Sequence, residues 1–154
     1  MKRKLRLYLD TSVFGGYFDE EFSDFSRPLM DGLFHQKAIL LASSVVVDEL
    51  AQSPQQVKSL LQKVPENHVE FVPLSNEVKI LTDLYIQRKV VTKKSLNDAI
   101  HVALATISRA DAIISWNFKH IVRLDRIKGF NQVNLEMGYR EIVILSPMEV
   151  RFDE

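Results

Sequence analysis

The chain has 154 residues, 46% hydrophobic and 26% charged, which suits one folded domain over residues 1–154 and excludes a disordered chain. Its 20 Lys+Arg balance 20 Asp+Glu, which argues against coating nucleic acid by bulk positive charge while allowing a local grip on a few phosphates. The absence of cysteine excludes disulfides, zinc–thiolate sites and thiol catalysis.

The basic start Met1-Lys2-Arg3-Lys4-Leu5 resembles the beginning of a signal peptide. Arg6 and Asp10 interrupt the apolar stretch that would have to follow, and no small-residue cleavage site appears. No run approaches the ~18 apolar residues of a membrane span. The expectation is a soluble, cytoplasmic protein.

Leu5 to Val13 reads as a buried strand bounded by Gly15-Gly16, with Asp10 near its C-terminal end. Ser26 to Gln36 carries Leu29, Met30, Leu33 and Phe34 at helical spacing, with Pro28 where a first turn tolerates it. Ala38 to Ala42 is a second apolar run; Ser43-Ser44 then cap a helix bearing Val46, Glu49 and Leu50. Pro54 ends that helix, and Gln55 to Lys63 forms another. Val69 to Val72 is a brief strand, and Ser75 or Asn76 caps a helix through Val90. Ser95 opens the clearest helix, in which Leu96, Ala99, Ile100, Ala103, Leu104 and Ile107 recur at three- and four-residue steps. Ala112 to Ser115 and Ile142 to Leu145 complete the strands. Apolar strands alternating with helices predict an α/β fold, a three-layer α/β/α sandwich with a mainly parallel central sheet.

Ligands of open α/β sheets bind beyond the carboxyl ends of the strands. Asp10 and Asn117 follow two such ends, and Glu49 and Asp98 lie early in helices that can point at the same rim. Three carboxylates and an amide there would form an oxygen-rich pocket suited to Mg²⁺ or Mn²⁺. Such an ion polarises a phosphodiester and activates water, so no protein nucleophile is required. Each residue also has a plainer explanation. Asp10 can open a turn with Thr11 and Ser12. Ser95 and Asp98 can form a capping box. Glu49, beside Asp48, can be solvated surface, and Asn117 can be a turn residue.

Order and context favour the shared site. Leu7-Tyr8-Leu9-Asp10-Thr11-Ser12, Ser44-Val45-Val46-Val47-Asp48-Glu49-Leu50, Leu96-Asn97-Asp98-Ala99-Ile100-His101-Val102-Ala103-Leu104-Ala105 and Ile114-Ser115-Trp116-Asn117 together resemble the PIN-domain family. The likeness is strongest to the VapC-like ribonucleases of toxin–antitoxin pairs. It implies a PIN-type α/β/α sandwich, catalytic and metal-binding roles for Asp10, Glu49 and Asp98, and support from Ser12. It also implies Mg²⁺- or Mn²⁺-dependent hydrolysis of RNA, a homodimer and a small antitoxin partner. Asn117 stands where many relatives carry a fourth acid, so it is expected to ligate only through a neutral carbonyl.

Two basic clusters, Arg88, Lys89, Lys93 and Lys94 and then Lys119, His120, Arg123, Arg126 and Lys128, flank the motifs. Lys93, Lys94 and Lys119 are the candidates for RNA phosphates, which position a substrate without reading its sequence. His120 is left out of the catalytic set, His101 is read as packing or surface, and Trp116 and Gly15-Gly16 as packing and turn. No Gly-Lys-Ser/Thr element supports nucleotide binding. A phosphatase with a strand-end nucleophile would need a second Asp where Ser12 stands. The remaining alternative is a PIN scaffold that binds RNA or a protein with little or no cleavage.

Overall fold

The computed structural model describes residues 3–152; the signal-like reading of the first five residues falls partly on Met1 and Lys2, outside them. Five parallel strands form one sheet: β1 (Arg6–Leu9), β2 (Ile39–Ser43), β3 (Val69–Val72), β4 (Ala112–Ile114) and β5 (Ile144–Leu145), in the order β3-β2-β1-β4-β5. In register, Leu7 lies beside Leu40 and Ala112, and Tyr8 beside Leu41 and Ile113. These six side chains are buried, which explains why the central strands read as continuous apolar runs.

The helices are α1 (Thr11–Gly16), α2 (Ser23–Phe34), α3 (Ser44–Ala51), α4 (Gln55–Gln62), α5 (Asn76–Gln87), α6 (Leu96–Ile107) and α7 (Leu124–Glu136). The chain moves outward from β1 to β2 and β3, then returns past β1 to β4 and β5. Right-handed crossovers therefore place α1 to α4 on one face and α5 to α7 on the other. The packing agrees, with α1 against α2, α3 and α4, and α5 against α6 and α7. The three-layer α/β/α expectation holds, with every strand pair parallel. Among the described residues, no helix is long and apolar enough to cross a membrane.

Three local expectations are corrected. The first strand stops at Leu9, because Asp10 turns the chain and Thr11 starts α1, which contains both Gly15 and Gly16. Gly16 serves close packing rather than a turn: a Cβ there would stand 2.5 Å from Ser26 Oγ and 2.7 Å from Trp116 Nε1. Pro28 lies inside α2, past its first turn, where it gives up one intrahelical hydrogen bond. The helix α7 is absent from the pattern of apolar residues because two amides occupy its inner face. Asn131 and Asn134 are buried beside Phe130 and Val133. Asn131 bonds the Ile142 backbone at both N and O, and Asn134 accepts from Tyr85 Oη at 2.5 Å.

Candidate active site

The order in which strands leave β1 reverses between β1 and β4, and that reversal opens a crevice at their C-terminal ends. Asp10 follows β1 and Ser115 follows β4, so the topology alone sets them side by side. Asp10 is only 4% exposed. Ser12 Oγ donates to its Oδ1 at 2.5 Å, and Ser115 Oγ donates to its Oδ2 at 2.5 Å. Each hydroxyl in turn accepts a backbone N–H, Ser12 from Trp116 at 3.0 Å and Ser115 from Asn117 at 2.9 Å. Both carboxylate oxygens are thus fixed, and each keeps a lone pair for another partner. Burial pushes the Asp10 carboxyl above its ordinary range despite His101 and these hydroxyls.

Glu49 reaches the same crevice from α3, whose start is fixed by Ser43 Oγ accepting from Val46 N. It is half-buried. Its Oε1 accepts from Thr11 Oγ1 at 3.0 Å and from His101 Nε2 at 2.6 Å. Burial alone would raise this carboxyl, but the bond to and charge of His101, with Thr11 and Asn97, hold it low. His101 Nδ1 meets Tyr8 Oη at 2.7 Å, and Tyr8 Oη meets Ser43 Oγ at 2.9 Å. A carboxylate only accepts, so Nε2 must carry the proton toward Glu49; in the neutral tautomer Nδ1 then accepts from Tyr8. Burial raises the Tyr8 hydroxyl, which keeps its proton.

Asp98 enters from the first turn of α6, where the helix dipole favours a carboxylate. Ser95 makes no side-chain cap bond, so the capping-box explanation of Asp98 fails. Instead Asp98 Oδ1 accepts from Asn117 Nδ2 at 3.0 Å. Burial raises the Asp98 carboxyl, opposed by His120, Asn117 and His101. The three acids share one field, since Asp98 raises Asp10 and Glu49 raises Asp98.

Asn117 corrects an expectation. Its Oδ1 accepts the backbone N–H groups of Lys119 at 3.2 Å and His120 at 2.9 Å. That uses both lone pairs of the carbonyl, leaving Asn117 a donor to Asp98 with no oxygen to offer a cation. Glu49 and Asp98 are partly buried rather than on open surface. Lys93, Lys94 and Lys119 are exposed. Other basic residues are committed elsewhere: Arg88 to Glu136, Arg123 to Asp125 and Arg126 to the Val90 carbonyl.

His101, Tyr8, Thr11 and Ser115 belong to the site but were not among its expected residues. His101 was legible, because it stands three residues after Asp98 and so shares its helix face. Among the described residues, no three carboxylate or imidazole groups stand close enough to enclose a metal ion by themselves. The donor set still fits Mg²⁺, which keeps several waters and takes only one or two carboxylates directly. Hard oxygen donors with two acids raised by burial are the matching chemistry.

The family model of the PIN domain matches residues 7–125. No curated protein sequence matches this chain. Among solved structures, the fold is similar to one titled as the crystal structure of VapBC2 from Rickettsia felis bound to a DNA fragment from their promoter. That match covers 92% of this chain and 98% of the other, with a TM-score of 0.57 and 14% identity, a likeness of fold alone.

Proposed function

This chain belongs to the PIN-domain family, and from that premise we propose that it is a Mg²⁺- or Mn²⁺-dependent endoribonuclease, the toxin of a toxin–antitoxin pair. The observation that supports this reading is electrostatic: Asp98 raises the carboxyl of Asp10, and Glu49 raises that of Asp98, so the three acids repel one another across the C-terminal end of β1. Burying mutually repelling carboxylates costs stability unless a cation or proton compensates. Asp10, Glu49 and Asp98 are the residues that would hold the ion. When bound, it supplies a Lewis acid for the phosphodiester and lowers the pKa of a water molecule.

The chain's own groups do the positioning. Ser12 and Ser115 fix both oxygens of Asp10. The Asn117 amide holds one oxygen of Asp98 and so orients the other. His101, steadied by Tyr8, fixes Glu49 and keeps it ionised. We assign RNA phosphates to Lys93, Lys94 and Lys119, which is supported by their exposure and by their closeness in the chain to Asp98 and Asn117. A small antitoxin and a second copy of the chain are proposed as partners on the likeness to VapC-like members of the family, and the fold shared with VapBC2 supports the first of these.

Incubating the purified protein with a mixed RNA pool tests the function. Cleavage is expected with Mg²⁺ or Mn²⁺ and none with EDTA. RNA binding without cleavage under either metal would favour the non-cleaving scaffold.

The role given to His101 has its own test. Outer partners of metal-holding groups change affinity or activity by about 10–100-fold when removed. His101→Gln is therefore expected to weaken Mn²⁺ binding within that range, read by calorimetric titration. Unchanged affinity would reduce the imidazole to packing.

A further inference from the structure

We infer that Phe118 is a stacking platform for an unpaired base of single-stranded RNA beside the carboxylate crevice, an inference that rests on the nuclease reading above. The ring is 47% exposed, although it follows directly on Asn117, whose amide touches Asp98. Exposed Lys119 comes next. The ring therefore has polar chain neighbours on both sides, and an exposed ring beside a cationic Lys119 can meet a nucleotide's base and phosphate together.

Its inner side is braced. Trp116 meets Phe118 edge-on, with centroids 6.1 Å apart and planes at 67°. Trp116 is itself only 7% exposed and stacks on Phe22 at 4.4 Å. The indole N–H donates to Ser26 Oγ at 2.7 Å, in space left by the missing Cβ of Gly16. The Phe118 backbone N–H donates to the Trp116 carbonyl at 2.9 Å. An aromatic ring held on one side and open on the other loses little freedom when a base stacks on it. Every base has a π-face, so the platform is tolerant of sequence. A duplex already stacks its bases on each other and cannot offer one, so the platform selects single strands.

The test measures binding without cleavage, in the Asp98→Asn background, with a fluorescein-labelled single-stranded oligoribonucleotide. Comparison probes are the same strand annealed to its complement and the same strand with abasic positions. Phe118→Leu is expected to lower single-strand affinity by about tenfold or more, with the duplex unaffected and Phe118→Tyr restoring affinity. Abasic positions should cost the unsubstituted ring as much as Phe118→Leu does. Trp116, the sole tryptophan, should be quenched by the single strand and not by its abasic form. Equal single-strand affinity in Phe118→Leu would overturn the platform, as would an equal loss for duplex and single strand. Unchanged RNA affinity with a fall in mass by light scattering would assign the ring to a contact between copies, and also overturn it. The nuclease reading fails separately: a wild-type protein that binds single strands through Phe118 yet cuts no RNA keeps the platform and loses the nuclease.

Discussion

Asp98→Asn is expected to abolish RNA cleavage and, without divalent metal, to raise the melting temperature at neutral pH. Replacing a direct ligand should exceed the roughly 10–100-fold effect of removing an outer partner, so a loss of at least about a hundredfold is expected. The fold should survive, because the carbonyl oxygen of the substituted amide can still accept the hydrogen bond from Asn117. The stability gain follows from linkage. Burial raises the Asp98 carboxyl above its unfolded value of 3.8. Between that value and the raised one, the folded state binds the proton more tightly, so stability falls as pH rises through the window. At neutral pH the ionised group is a cost, and a neutral amide removes it. The melting difference should shrink as pH falls toward 3.8 and vanish below it, where wild-type Asp98 is protonated in both states. Added Mn²⁺ should raise the wild-type melting temperature by mass action and the variant's less. Full cleavage by the variant, or equal metal responses, would remove Asp98 from the metal-holding set.

What was legible in the sequence follows from how local each signal is. The strands β2 and β3 and the helix starts at Ser43 and Ser75 depend on short apolar runs and on hydroxyls that accept the N–H group three residues on. Such features are written within a few residues. The turn at Asp10 is not legible in the same way, because Val13 and Phe14 are apolar and would be buried in either a strand or a helix. The α7 helix was hidden because its packing is partly polar, through Asn131 and Asn134. His101 carried a signal in its place three residues after Asp98, but an imidazole on an apolar helix reads as a core residue until Tyr8 and Glu49 are found at its two nitrogens. The positions of Asp10, Glu49 and Asp98 could be anticipated from strand ends and motif order. The direction of the Asn117 amide could not, because it is set by the turn to Lys119 and His120.

That turn makes Asn117→Asp the second large effect. The carboxylate would keep one oxygen on the Lys119 and His120 N–H groups, where Asn117 Oδ1 now sits. Its other oxygen would replace Nδ2, now 3.0 Å from Asp98 Oδ1, turning a hydrogen bond into a contact between like charges. At that separation and an effective dielectric of ~20, the repulsion is about 5 kcal/mol before the groups relax or share a proton. For a domain of this size each kcal/mol moves the melting temperature by about 2–4 °C. The metal-free variant is therefore expected to melt at least about 5 °C below wild type at neutral pH, after relaxation has absorbed part of the repulsion. A divalent cation between the two carboxylates converts the same charge from a cost into an attraction, so the Mn²⁺-induced rise should be larger than in wild type. Half-maximal cleavage should need less metal. Acid should act like the cation, because a proton shared by Asp98 and the new carboxylate relieves the contact, and the deficit should narrow as pH falls. A variant that melts like wild type, with the same Mn²⁺ response, would show that the amide does not hold Asp98, and the positioning of that carboxylate would have to come from α6 alone.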